Sequence, residues 1–425
     1  MLFLKKINEL PRPMADFIRL AGRFADQKGM GAYVVGGFVR DLFLGVANYD
    51  IDLVVEGDAI AFAEGFCEKF SLHAVTHKRF GTATISGMEG FKADIASARK
   101  ETYEKPAVLP AVSFGLIQDD LFRRDFTINA MAIAINASCF GRLMDFYGGQ
   151  DDLKKGFIRA LHPLSFIDDP TRILRAVRFE QRFDFKIERQ TLSWIKEAVR
   201  RSMLHLVQKH RLRDELLLIF NEKMPLKPLK RLYALCGFSY ISEGLRFQRH
   251  WPHYFQQASK RIAWYREHFA NRRHIEPYAI YFSLFFYPLP LKDIKKAMLD
   301  FAFHKGASSR LVSLKENIHT IRNGLSKKNA MPSTVWRLLE PLSYEVVLLA
   351  EILSRHKEVS RHIEDFLFIY NGQRLHLKGE DLAGLGVEPG PHFKKILDKL
   401  LMAKIDGIVR DKEEELRLAQ KLMQK

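Results

Sequence analysis

The first 145 residues alternate short β-branched, apolar runs with segments of helical spacing, and the pattern changes after them. Tyr33-Val34-Val35 reads as a strand, followed by Gly36-Gly37 and a helical stretch over residues 38–45. Residues 51–55 alternate as a strand and run into Glu56-Gly57-Asp58, where the aspartate can cap a helix over Ala59–Phe70. Residues 83–85, 91–95 and 131–135 predict further strands of a small mixed sheet. Beyond Asp145 the strand signals stop. Residues 168–182, 189–201 and 211–221 have helical spacing, and nearly everything after them is helical with short Pro or Gly breaks. The pattern predicts an α+β chain: a mixed-sheet head over residues 1–145, a helical neck over 146–220, and a helical body and tail over 221–425.

Composition refines this picture. A chain of 425 residues exceeds one ordinary core, and 47% hydrophobic with 28% charged residues is the balance of a soluble globular protein. No apolar run approaches the roughly 18 residues that span a bilayer; the nearest, residues 278–289, is interrupted by Pro288. The N-terminal segment has too short an apolar part, and the wrong order, for a secretory signal. Cys67, Cys139 and Cys236 lie far apart without a CxxC pattern, which points to a reducing cytoplasm and away from a zinc site or a disulfide framework.

The net charge of +17 is unevenly spread. Residues 1–200 hold 28 Lys+Arg against 26 Asp+Glu, and residues 201–425 hold 39 against 24. A nearly neutral front beside a strongly basic back suits a catalytic unit joined to a platform for a polyanion; the alternative is lysine used only for solubility. The stretch from Arg249-His250-Trp251 to Arg272-Arg273-His274 mixes cations with aromatics, as contact with RNA phosphates and bases requires. Each of Trp251, Trp264 and Tyr265 taken singly reads more readily as core.

The candidate chemistry starts at Asp50-Ile51-Asp52. Two acids at i and i+2 on a strand share one face, where they repel unless a divalent cation neutralises them, and hard oxygen ligands suit Mg²⁺. Asp94 lies on a later predicted strand; three converging carboxylates can hold metals that clamp the attacking and leaving oxygens of a phosphoryl displacement. Two surface acids near a turn are the plainer alternative. Upstream, Gly36-Gly37 between strand and helix lets backbone N–H groups approach a triphosphate, with Arg40-Asp41 one turn further on. In Asp120-Leu121-Phe122-Arg123-Arg124-Asp125, followed by Asn129, arginines suit phosphate oxygens and an acid suits ribose hydroxyls. Arg124 and Asp125 could instead form a structural ion pair. Asp168-Asp169-Pro170-Thr171-Arg172 opens a predicted helix with Asp169 as N-cap and Pro170 at N1, and Arg172, Arg175 and Arg178 fall near one face. A solvated basic face is the competing reading.

In this order the segments GGxxRD, DxD, RRDxxxNA and DxxRxxRxxR resemble the class II tRNA nucleotidyltransferase and bacterial poly(A) polymerase family, within the DNA polymerase β superfamily. The likeness covers about residues 30–220 closely and the remainder loosely. It implies that Asp50 and Asp52 hold the metals, with Asp94 as third acid. Gly36, Gly37 and Arg40 would contact the triphosphate, and Arg124, Asp125 and Asn129 the triphosphate and ribose. Asp169 and Arg172 would read the Watson–Crick edge of incoming ATP or CTP, and Arg175 and Arg178 would hold phosphates. The first acid of that last motif is usually glutamate and here is Asp168. Residues 77–82 (HKRFGT) resemble the tRNA enzymes rather than the poly(A) polymerases. The loop from Arg99 to Phe114 looks full length, unlike that of enzymes adding only CC. Residues 377–382 and 386–391 resemble a tail segment of tRNA-adding relatives, forming a turn between short helices near the RNA. The resemblance implies addition of A or CCA to the tRNA 3′ acceptor end, with poly(A) synthesis, CC addition and a non-catalytic RNA-binding protein as the other readings.

Overall fold

The computed structural model describes residues 6–7, 9–78, 81–88, 90–269, 271, 274–354, 356–385 and 390–423. Arg79, Phe80, Arg272, Arg273 and residues 386–389, which carry parts of the expectations above, lie outside them. The chain forms two compact units, residues 1–215 with 227–240, and residues 216–226 with 241–425. The boundary expected at 145/146 falls inside the first.

The first unit is built on a seven-stranded mixed sheet. Its strands are β1 (Ala32–Val35), β2 (Asp50–Val55), β3 (His73–His77), β4 (Thr82–Met88), β5 (Phe91–Ser97), β8 (Ala132–Ala134) and β9 (Leu143–Met144). They lie in the order β3-β4-β5-β2-β1-β8-β9, while β6 (Arg99–Thr102) and β7 (Ala111–Phe114) form a separate hairpin. Among the described residues, β2 and β5 pair in parallel and the other neighbours in the large sheet pair antiparallel. Alternation along β2 explains its placement. Ile51, Leu53 and Val55 are buried on one face, leaving Asp50 and Asp52 on the other. Helices Arg12–Lys28 and Ala59–Phe70 pack together through edge-on pairs such as Phe17–Phe66 and Phe24–Phe62, with centroids 5.5 and 5.2 Å apart. Ala59–Phe70 covers β3, β4 and β5.

The strands do not stop at Asp145. Phe157–Ile158 and Lys186–Ile187 form β10 and β11, a two-stranded parallel ladder. Each strand has only two residues, too short for period-2 alternation to register in the sequence. The helix expected over residues 168–182 is also divided. A short helix, Ser165–Asp168, ends at Asp169, whose backbone is extended, and Thr171, already helical in its backbone, leads into Arg172–Phe183. Asp169 has the geometry of an N-cap, its carbonyl accepting from Arg172 N at 3.1 Å. Its Oδ1 accepts from Thr171 N at 3.1 Å and Thr171 Oγ1 at 2.6 Å.

The second unit is helical among its described residues. Helices Trp251–His268, Pro277–Phe286, Lys305–Leu325 and Tyr344–Ile352 pack around Phe282, Phe285, Phe286 and Leu348, all fully buried. Trp251 and Tyr265 belong to this core, whereas Trp264 lies under the Arg261 guanidinium, 4.0 Å from its ring centre. Near the C-terminus, Gly379–Gly384, Pro391–Ile405 and Lys412–Met423 enclose a small cluster around Leu382, Leu400 and Ala419. No helix among the described residues is long and apolar enough to cross a membrane.

Asp58 does cap Ala59–Phe70, its Oδ1 accepting from Ile60 N at 2.8 Å and Ala61 N at 3.1 Å. Asp58→Ala should cost about 1 kcal/mol of stability. Urea unfolding checks this as a lower midpoint with an unchanged slope.

Candidate active site

A cleft of about 720 Å³ in the first unit gathers most of the expected residues: Gly37, Arg40, Asp52, Arg124, Asp125, Asn129, Asp169, Arg172 and Arg175. A smaller cavity of about 280 Å³ is lined by Asp52 and Asp94 together with Arg123 and Arg124. Asp52, Arg123 and Arg124 thus face both spaces. Gly36, Asp50 and Arg178 line neither.

The acidic face follows from strand register. Pairing of β2 with β5 sets Asp52 directly opposite Asp94, and Asp50 opposite Lys92. All three acids therefore stand on one face. Asp94 Oδ1 accepts from Thr84 Oγ1 at 2.6 Å. The Asp52 carboxyl is pushed up to about 6, by burial first and then by Asp94 and Asp50, against the opposing pull of Arg124 and Lys92. Among the described residues no three acid, histidine or cysteine side chains already form a cation cage. The donor set still fits a hard divalent ion, because a buried carboxylate beside two like charges is relieved by one.

Gly36 has φ +66°, and a Cβ there would stand 2.4 Å from Arg124 Nη1. Its own N–H is donated to Met131 O at 3.2 Å. The left-handed backbone is what requires glycine here, since the arginine tip could shift aside from a Cβ. Helix Gly36–Leu44 then carries Arg40 inward. Its guanidinium donates to Asp41 through Nε (2.8 Å) and to Asn129 Oδ1 through Nη1 (2.7 Å), pairs with Asp41 through Nη2 (2.7 Å), and stacks near Phe179 and Phe183. All three nitrogens are engaged within the protein.

The arginine motif rests on Asp120, which is fully buried. Arg123 Nη2 lies 2.6 Å from its Oδ1 and Arg124 Nη2 2.9 Å from its Oδ2. Burial pushes the Asp120 carboxyl up, but Arg124 and Arg123 together outweigh this and hold it below the usual range. Arg123 also reaches Glu101 Oε1 at 3.2 Å. The buried Glu101 accepts from Arg99 at 2.9 Å and Tyr103 at 3.0 Å as well, so the β6–β7 hairpin is tied to this motif. Asp125 Oδ1 accepts from Phe126 N (2.8 Å) and Asn129 Nδ2 (2.9 Å), and its Oδ2 receives Arg175 Nε (2.8 Å). Burial opposes ionisation of Asp125, yet Arg175, Asn129 and Arg172 bring its carboxyl down to about 2.

On the neck, Asp169 Oδ1 meets Arg211 Nη2 at 2.9 Å. Arg172 is buried, donating to Ser165 Oγ and to the Arg123 carbonyl, both at 2.7 Å. Arg175 spans Asp125 and Glu215, 3.1 Å from the latter, and Arg178 lies over the Phe179 ring with Nε 3.9 Å from Glu215 Oε2. Sequence reasoning gave no role to Asp120, Glu101, Arg211 or Glu215. The i, i+4 spacing of Arg211 and Glu215 puts both on one helix face and was the available signal for that pair.

The geometry has sequence counterparts. Residues 32–159 match the Poly A polymerase head domain. An A-adding tRNA nucleotidyltransferase of Halalkalibacterium halodurans is 32% identical over 95% of this chain and 91% of its own length. The chain belongs to the tRNA nucleotidyltransferase family. A further A-adding relative, from Geobacter sulfurreducens, is 36% identical over 98% of this chain, which spans only 48% of that protein. The structure of a CCA-adding enzyme in an apo form superposes with TM-score 0.80 at 35% identity, covering 98% of this chain and 97% of that one. The Thermotoga maritima CCA-adding enzyme complexed with tRNA gives TM-score 0.75 at 35% identity, covering 99% and 98%.

Asp120→Ala leaves two arginines facing a buried gap and should destabilise the protein by about 3–5 kcal/mol. Guanidinium unfolding that loses less than about 1 kcal/mol would contradict this reading of Asp120.

Proposed function

We propose that the chain is a template-independent tRNA nucleotidyltransferase that completes the 3′ end by transferring AMP from ATP, releasing pyrophosphate. The observation that carries this is one cleft in which an acid of the β2 face, the arginine motif and the Asp169/Arg172 pair meet. The A-adding names of the Geobacter and Halalkalibacterium relatives favour the terminal A. The likeness to a CCA-adding enzyme complexed with CTP, at TM-score 0.78, favours a second reading in which CMP is added as well. A tRNA substrate places the work in the cytoplasm.

Each residue then has a task. Asp50 and Asp52, with Asp94 beside them, would hold Mg²⁺, which when bound supplies Lewis-acid neutralisation at the reacting phosphate. Arg124, held by Asp120 against Gly36, presents its charge to the triphosphate. Asn129 and Asp125 face the ribose, oriented by Arg40 and Arg175. Asp169 accepts from the exocyclic amine that ATP and CTP share, and Arg172 donates to a ring nitrogen or carbonyl; UTP and GTP present the reverse order. The tRNA 3′ hydroxyl attacks the α-phosphorus, the bond to the bridging oxygen breaks, and pyrophosphate leaves. The excess charge of residues 201–425 suits the phosphates of tRNA.

Incubation with labelled ATP or CTP, Mg²⁺ and tRNA ending in the discriminator base, C or CC decides among the outcomes. Label on CC ends only supports A addition, label on all three supports CCA addition, and long tails on unrelated RNA indicate poly(A) synthesis. No label on any end refutes the enzyme reading. Asp52→Ala should lower transfer by at least about 10²–10³-fold while tRNA affinity in a filter-binding assay stays near wild type. Arg172→Ala should relax nucleotide choice, and unchanged ATP/UTP discrimination would argue against side-chain templating.

A further inference from the structure

Lys92 stands where neither the cleft nor nucleotide selection gives it a purpose. Parallel pairing of β2 with β5 sets it opposite Asp50, two residues before Asp94. Because side chains alternate along a strand, Asp50, Asp52, Lys92 and Asp94 all project from one face. The ammonium nitrogen lies 3.7 Å from Asp50 Oδ1 and 3.7 Å from Asp94 Oδ2. Thr84 holds the other oxygen of Asp94, so the carboxylate turns its Oδ2 toward the lysine. A single positive charge therefore sits between the first and third acids, in the space a cation shared by them would need. This placement is fixed by register, whereas the side chain itself is half exposed on a flexible stem.

We propose that Lys92 is a resident counter-cation of the carboxylate face. With no metal bound it screens Asp50 from Asp94 and keeps the three acids facing one another. When a divalent ion arrives, the ammonium must swing outward, and its charge continues to oppose the ion. The site is thereby held to a weaker, readily reversible affinity than three carboxylates alone would give. This rests on the metal reading of Asp50, Asp52 and Asp94. Exposed ion pairs contribute little to stability, so the consequence falls on metal binding and not on the fold. A unit charge about 5 Å from a divalent ion in water-like surroundings changes its affinity by about tenfold.

The test is Mn²⁺ binding to the full chain without nucleotide, followed by electron paramagnetic resonance of the free ion. Lys92→Met should bind Mn²⁺ about tenfold more tightly than wild type, and Lys92→Arg should stay close to wild type. Circular dichroism of both variants should match the parent. Equal or weaker binding by Lys92→Met overturns the counter-cation role. Wild type that binds no Mn²⁺, or an Asp52→Asn variant that binds as tightly as wild type, overturns the metal reading and this inference with it.

Discussion

Asp125 carries a full charge inside the protein, and such a charge costs several kcal/mol to bury unless its oxygens are all met. Here they are met by a backbone amide, an asparagine and an arginine from a different part of the chain. That requirement organises the site. Asn129 can serve Asp125 only because Arg40 holds its other end, and Arg40 in turn needs Asp41. Asn48 donates to Asp41 Oδ2 at 2.9 Å and accepts from Asp50 N at 2.9 Å. A continuous polar path thus runs from Asp50 on β2 to Arg175 and Glu215 on the neck. Replacing one of its buried members, Arg40, Asp41, Asp125 or Asn129, leaves the others with unmet polar groups in a low-dielectric setting.

The same logic operates on the other side of the cleft. Asp120 pairs with both arginines of the motif, and Gly36 lies against the tip of Arg124. The cleft is lined by Arg40, Arg99, Arg123, Arg124, Arg172, Arg175 and Arg211. Buried acids behind those arginines reduce the mutual repulsion without occupying the cleft.

How much of this was legible in the sequence depends on the range of each interaction. The shared face of Asp50 and Asp52 follows from period-2 geometry, and the capping by Asp58 follows from local chemistry; both were readable. The meeting of Asp52 with Asp94 was half readable, because the acid could be seen but not that β5 pairs parallel with β2. The inward turn of Arg40 and Arg175 was not readable. Arginines spaced along a helix suggest outward, phosphate-binding fingers, whereas burial against Asp125, Asn129 and Glu215 depends on partners 40 to 89 residues distant. At Asp169 the capping was readable from the acid before Pro170, whereas its pairing with Arg211, 42 residues on, was not.

The proposed protein-borne template needs an acid that is held in place with one oxygen to spare. At Asp169 the contacts with Thr171 and Arg211 all fall on Oδ1. The group is thereby held in one orientation while remaining on the wall of the cleft. Arg172 is fixed the same way, by Ser165 and the Arg123 carbonyl. Discrimination between bases by one or two hydrogen bonds requires that the unmatched base cannot recruit a rotated side chain, so the donors and acceptors must be rigid before binding. A nucleic-acid template obtains that rigidity from stacking. Here it comes from ion pairs and hydrogen bonds that join the neck to the head.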